Sequence, residues 1–178
     1  MTPVPKPHIH PPVRGLRGER AVLAFGSNLG DRETTIRAAV AALPRHGIRV
    51  AALSTLVDSV AVKPGGEDAT APGYLNGVAL VRTALDPHAL LRVVNAIEVD
   101  FGRVRAERWG DRTLDIDIIT FGSLQVDEPD LVLPHPRAAE RAFVLTPWLE
   151  LDPEAVLPGV GRVADLSAEL AKRSGTDA

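Results

Sequence analysis

Apolar positions in this chain fall in short runs and spaced stripes rather than in one long block. Ala21-Val22-Leu23-Ala24-Phe25 is a continuous apolar run that stops at Gly26-Ser27-Asn28, the pattern of a buried strand entering a loop. Asp31 is placed to cap a helix, and Ile36, Val40 and Leu43 recur at helical spacing until Pro44 stops the segment. The stretch Ile48 to Val57, rich in β-branched and small apolar residues, predicts a second strand. A gap of turn formers then runs from Ser59 to Gly73, and a connection this long inside a compact domain is often functional. Tyr74 to Thr83 alternates as a third strand. Asp86-Pro87 opens a helix whose apolar face is Leu90, Leu91, Val94, Ile97 and Phe101, with Gly102 at its end. An arginine-rich polar loop from Arg103 to Thr113 leads into a fourth strand, Leu114 to Phe121.

The order strand, helix, strand, strand, helix, strand is that of a split β-α-β unit. It predicts an α+β fold, a ferredoxin-like βαββαβ sandwich with an antiparallel sheet and helices covering one face. Beyond it, a short Ser123–Val126 segment and a loop bearing proline and histidine precede an apolar helix near Phe143 to Leu151. An amphipathic helix around Val163 to Lys172 follows, so extra C-terminal helices are expected. Residues 1–19 hold five of the 15 prolines. That composition favours extended or disordered chain, so the expected organisation is a proline-rich tail, 1–19, and one domain, 20–178. His8 and His10 lie in the tail without further ligand residues and suggest no metal site.

At 178 residues, 45% hydrophobic and 24% charged, the chain matches a soluble globular protein. No apolar run approaches the roughly 20 residues that span a bilayer, and the start lacks the apolar core of a signal peptide, so a cytoplasmic protein is expected. The absence of cysteine removes disulfides, thiolate metal sites and thiol nucleophiles. A net charge of -3 argues against broad attachment to nucleic acid or anionic membrane and leaves room for a local basic patch.

Asp115 and Asp117 are the most informative pair. Residues two apart on a strand project from the same face, so their carboxylates stand side by side. Two anions in an apolar strand are costly unless a cation accompanies them. A hard divalent ion, most simply magnesium holding a nucleotide phosphate, resolves the conflict; pairing with neighbouring arginines is the other solution. Arg103, Arg105, Arg108 and Arg112 lie directly upstream, with Trp109 and Gly110 among them. Guanidinium groups bind phosphate oxygens bidentately and stay charged, so such a loop can clamp a polyphosphate. Alternatively it is a solvated loop whose arginines balance Glu98, Asp100, Glu107 and Asp111. Gly26-Ser27-Asn28-Leu29-Gly30-Asp31 occupies a strand-to-helix turn where glycine-rich loops often cradle phosphates, without matching a dinucleotide or P-loop spacing. Pro134-His135-Pro136-Arg137 adds a rigid turn and a histidine able to donate to phosphate, and Arg141 another cation. Tyr74 and Asn76 share a strand face, a ring for stacking beside an amide.

Together with Gly102-Arg103-Val104-Arg105, Arg108-Trp109-Gly110-Asp111-Arg112-Thr113-Leu114-Asp115-Ile116-Asp117 and Glu140-Arg141-Ala142-Phe143, these segments resemble one family, the 6-hydroxymethyl-7,8-dihydropterin pyrophosphokinases of folate biosynthesis. The resemblance covers roughly residues 20–160, in order. It implies transfer of the terminal diphosphate of ATP to the hydroxymethyl oxygen of the pterin, releasing AMP, with two magnesium ions, on a ferredoxin-like fold. By the same resemblance Asp115 and Asp117 are magnesium ligands, and Asp117 also lies near the attacking hydroxyl. Arg103 and Arg112 contact phosphates and stabilise charge, while Arg105 and Trp109 belong to a loop closing over the site. His135 and Arg141 bind ATP phosphate or ribose, Tyr74 and Phe143 sandwich the pterin, Asn76 bonds its ring edge, and Asn28 lies near the substrate. The implied partners are ATP and the pterin, with no nucleic acid and no membrane, and a monomer is expected.

The chain also departs from the family pattern. The pterin loop, usually Tyr-x-Thr-x-Pro-x-Gly, reads Val57-Asp58-Ser59-Val60-Ala61-Val62-Lys63-Pro64-Gly65-Gly66 and is longer. Only Ala106 and Glu107 separate Arg105 from Arg108, so a lysine found there in some members is absent. Asp111 replaces the commoner proline, and Asp130 stands where some members carry arginine. Two other readings use the same residues. A ferredoxin-like RNA-binding module is disfavoured by two tryptophans, one tyrosine and four phenylalanines in all and by the acidic balance. A regulatory pterin or nucleotide binder without catalysis is motivated by the altered Ser59 to Gly73 loop.

Overall fold

The computed structural model describes residues 18–63, 66–68, 70, 72–102 and 113–175. Strand β1 (Glu19–Ser27) is followed by helix α1 (Arg32–Ala42) and a 3₁₀ turn, Leu43–His46. Strands β2 (Ile48–Leu53), β3 (Val57–Ser59), β4 (Ala61–Lys63), β5 (Gly66–Asp68) and β6 (Tyr74–Thr83) precede helix α2 (Pro87–Asp100). Strand β7 (Asp115–Phe121) leads to the small hairpin of β8 (Val126–Asp127) and β9 (Val132–Leu133). Helix α3 (Ala142–Leu151), a second small hairpin of β10 (Val156–Leu157) and β11 (Gly161–Arg162), and helix α4 (Val163–Ser174) complete the order.

The main sheet has the order β2-β6-β1-β7, with β3 also pairing β6. Every pairing in it is antiparallel, as the expected β-α-β unit requires. The two-residue pleat then decides the layers. Leu23, Phe25, Ala79, Val81, Ile116 and Ile118 face α1 and α2, where they pack with Ile36, Val40, Leu90, Val94 and Ile97. Val22, Val78 and Ile119 face the other way, onto Val144, Leu145 and Trp148 of α3 and Val163 of α4. The C-terminal helices therefore cover part of the second sheet face. The rest of that face stays open as a cleft.

Local chemistry explains most boundaries. Asp31 Oδ1 accepts from Thr34 N at 3.1 Å, and Asp86 Oδ1 from Ala89 N at 2.7 Å, so both expected caps form. The α-helix ends at Ala42, just ahead of Pro44 as expected, but the proline does not end the helical turn itself. It sits inside the 3₁₀ turn, which stops at Gly47 with φ of +76°, a conformation that favours glycine. The expected strand from Ile48 to Val57 is broken at Ser54–Leu56, because β2 pairs one half of β6 and β3 pairs the other, Val57 to Ser59 opposite Asn76 to Tyr74. The hydroxyl of Ser54 accepts from Val78 N at 3.0 Å at that break. The gap from Ser59 to Gly73 holds the β4–β5 hairpin, too short and polar to stand out by periodicity.

Leu23, fully buried on the central strand, is expected to lose about 2–5 kcal/mol of stability on substitution by alanine. Val99→Ala, at a site 63% exposed, is expected to change it by less than about 0.5 kcal/mol. Urea unfolding of the two variants checks the contrast.

Candidate active site

β1 carries small residues where the cleft needs room. Its register aligns Gly26 with Asn76 on one side and Asp115 on the other, while Ala24 aligns with Val78 and Asp117. Tyr74 and Asn76 of β6 and Asp115 and Asp117 of β7 thus flank a shallow floor of Ala24 and Gly26. The two flanks stand two strand spacings apart, about 10 Å. A Cβ built on Gly26 would come 3.3 Å from Asn76 Oδ1 and 3.6 Å from the Tyr74 ring. Glycine keeps the floor open there.

The resulting cleft, about 430 Å³, is lined by this floor and by Ser59, Val60, Tyr74, Asn76, Asp115, Asp117, His135, Pro136, Arg137, Glu140, Arg141 and Phe143. It gathers seven residues singled out from the sequence: Tyr74, Asn76, Asp115, Asp117, His135, Arg141 and Phe143. Asn28 is buried just past β1 and is not among the lining residues. Arg103, Arg105, Trp109 and Arg112 lie outside the described residues, as does Arg108. Ser59, Arg137 and Glu140 were not given roles from sequence, since their placement depends on β3 pairing β6 and on the turn before α3. A second cavity, about 450 Å³, lies between α1 and α2 and is lined by Ala38, Ala41, Ala42, Arg45, His46, Ile97, Asp100 and Phe101. None of the candidate residues reaches it.

At the carboxylate end, Arg141 Nη1 donates to Asp117 Oδ2 at 2.8 Å. Arg141 is the residue preceding the first turn of α3, and its guanidinium also lies 5.7 Å from the centre of the Phe143 ring, within cation–π range. The arginine pairing that the sequence left open is therefore present at Asp117. His135 Nδ1 accepts from Arg137 N at 3.1 Å, which places the ring proton on Nε2, facing Asp117 Oδ2 at 3.7 Å. Burial lowers the His135 pKa, opposed by the nearby Asp117 and Asp115 carboxylates and assisted by Arg141 and Arg137. The backbone of this turn is tied to β7 by His135 N donating to Ile119 O at 2.9 Å. At the aromatic end, Asn76 Nδ2 donates to Ser59 Oγ at 2.8 Å, which fixes the amide plane.

Asp115 and Asp117 are the residues here that could hold a metal ion. Their oxygen donors suit a hard divalent cation, and two carboxylates leave further positions for phosphate oxygens and water. Among the described residues, three ligand atoms within 4.8 Å of one another occur elsewhere, at His88, Glu128 and Asp130. There the imidazole bridges two exposed carboxylates, Nε2 to Glu128 at 2.9 Å and Nδ1 to Asp130 at 3.6 Å. These residues do not line the cleft.

A profile of the 7,8-dihydro-6-hydroxymethylpterin-pyrophosphokinase (HPPK) family matches residues 22–153. The chain belongs to that family. It is 43% identical to 2-amino-4-hydroxy-6-hydroxymethyldihydropteridine pyrophosphokinase of Methylorubrum extorquens over 143 residues, 79% of this chain and 87% of the relative. It is 42% identical to the protein of the same name from Pseudomonas aeruginosa over 151 residues, 84% of this chain and 91% of that one. The fold agrees with a crystal structure of Plasmodium falciparum HPPK-DHPS at a TM-score of 0.68 and 15% identity. That match covers 92% of this chain, which spans 46% of the longer one. Membership in the HPPK family favours the diphosphate-transfer reading over the RNA-binding one. Among the described residues no helix is long and apolar enough to cross a membrane.

The Arg141–Asp117 pair is partly exposed, 20% and 30% for the two side chains, so its contribution to folding is expected to be small. A double-mutant cycle with Arg141→Met and Asp117→Asn, read by urea unfolding, is expected to give a coupling of about 1 kcal/mol or less.

Proposed function

We propose that this member of the HPPK family transfers diphosphate from ATP to the hydroxymethyl oxygen of 6-hydroxymethyl-7,8-dihydropterin in folate biosynthesis, with the cleft over β1 as its active site. The observation that carries this assignment is the division of the cleft into an aromatic and amide end, Tyr74, Asn76 and Phe143, and a charged end, Asp115, Asp117, His135 and Arg141. Tyr74 and Phe143 would sandwich the flat pterin, and the Asn76 amide would bond its ring edge. The charged end would hold the phosphates.

In the reaction a bond forms between the hydroxymethyl oxygen and the β-phosphorus of ATP. The bond from that phosphorus to the α-phosphate oxygen breaks, its electron pair leaves with AMP, and the hydroxyl proton is released to water. Asp117 would stand near the reacting hydroxyl, and Asp115 and Asp117 would hold two magnesium ions. Bound magnesium would neutralise phosphate charge and align the chain for in-line displacement. Arg141 is already oriented by Asp117, and on nucleotide binding its guanidinium can meet phosphate oxygens bidentately. The Nε2–H of His135 offers a neutral donor on the same side. Arg103 and Arg112 would meet the charge developing on AMP, and Arg105 and Trp109 would cover the site. Asn28, buried just past β1, would lie near the substrate. Catalysis of this kind is positioning plus charge stabilisation, with no covalent enzyme intermediate. The protein would act as a cytoplasmic monomer on these two small molecules, without nucleic acid or membrane.

The decisive measurement is AMP formation from ATP and magnesium with and without the pterin. AMP is expected only with pterin, and an AMP yield independent of pterin would overturn the assignment. Asp115→Ala and Asp117→Ala are each expected to lower turnover by at least about 100-fold. Their melting temperatures are expected to stay within a few degrees of the parent, about 1 kcal/mol or less. Loss of stability in proportion to loss of turnover would contradict the metal assignment. Chelation of magnesium is expected to abolish AMP formation and its re-addition to restore it.

A further inference from the structure

Glu98 lies near the end of α2 on the face that otherwise carries Leu90, Val94 and Ile97, and it is 1% exposed. It is therefore buried rather than solvated, unlike the exposed acid that the charge pattern suggested. A carboxylate buried this deeply is costly unless it makes strong polar contacts, and a conventional helix would place an apolar residue there. Its Oε1 accepts from the backbone N–H of Ile116 at 2.7 Å, at the short end of the range for such bonds. Ile116 is the residue between Asp115 and Asp117.

The topology explains why this amide needs a partner. Among the described residues β7 is an edge strand of the main sheet, paired there with β1 alone. In an antiparallel ladder successive residues turn their amides to alternate sides. The Ile116 N–H points away from β1, on the side where the sheet has no further strand among the described residues, and Glu98 receives it. The bond fixes the peptide plane at the midpoint of the two carboxylate-bearing residues. With the Ile116 side chain packed among α1 and α2 on the opposite face, it sets the pose of Asp115 and Asp117 in the cleft.

We propose that Glu98 is a positioning residue for the Asp115–Asp117 pair, acting through the Ile116 backbone amide without touching substrate or metal. It rests on the proposal that these aspartates hold magnesium. Groups behind a metal ligand commonly change metal affinity by about 10–100-fold when removed.

Two conservative variants separate the bond from the charge. Glu98→Gln keeps an acceptor and removes the charge, whereas Glu98→Asp keeps the charge and withdraws it by one methylene from Ile116. The readout is equilibrium binding of a non-hydrolysable ATP analogue by calorimetry across a magnesium titration, beside thermal melting. Glu98→Asp is expected to raise half-saturating magnesium by at least about tenfold, with metal-free analogue binding unchanged. Glu98→Gln is expected to stay within about threefold. An equal or larger loss in Glu98→Gln, unchanged magnesium dependence in Glu98→Asp, or a Glu98→Asp protein that is unfolded at 25 °C would each overturn the proposal. Parent protein whose analogue binding ignores magnesium would instead overturn the metal reading beneath it.

Discussion

The pleat of the three strands β6, β1 and β7 is the constraint on which the rest depends. Because alternate side chains leave a strand on opposite faces, each of these strands carries two chemistries at once. Phe25, Val81 and Ile116 fill the core beneath α1 and α2. Their neighbours Gly26, Asn76, Asp115 and Asp117 stand on the other face, in the cleft. A slip of one residue in either pairing would exchange the two sets and bury the aspartates. The same apolar packing that stabilises the sheet therefore holds the polar register of the site.

Two contacts hold the strand that carries these aspartates. Arg141, at the start of α3, meets Asp117 directly and lies beside Phe143, so one guanidinium links the charged end of the cleft to its aromatic end. Glu98, behind the sheet, receives the amide that the edge strand leaves over. Both come from helices on opposite faces. The edge of the sheet is thus held from two sides where a neighbouring strand would ordinarily hold it, and the site is built on rigid elements rather than on loops alone.

The loops add what is particular to this chain. Arg32, in the first turn of α1, donates from Nη1 to Asp58 at 3.0 Å and to Gly73 O at 2.8 Å. It ties together the two ends of the long connection between β3 and β6. Glu150 of α3 accepts from Thr55 N at 3.0 Å and from its hydroxyl at 2.6 Å, anchoring the break between β2 and β3. The cleft wall at Ser59 and Val60 is supported by these contacts, although the loop departs from the family pattern in sequence.

Much of this was legible in one dimension because it rests on local rules. The caps at Asp31 and Asp86, the helical stripes, the strand from Tyr74 to Thr83 and the shared faces of Asp115 with Asp117 and Tyr74 with Asn76 follow from periods of 3.6 and 2. The R-W-G-x-R-x-L-D-I-D element carried the family before any geometry was known. Other features were decided only by contacts between distant segments. The division of β2 from β3 depends on which part of β6 each meets, the covering of the second sheet face on where α3 and α4 dock, and the pairing of Arg141 with Asp117 on their approach across 24 residues. Glu98 shows the difference most plainly. As a letter it is one acid among charged neighbours, and only the packing of α2 against an edge strand, which leaves one amide to be satisfied, makes it a buried partner of the backbone between Asp115 and Asp117.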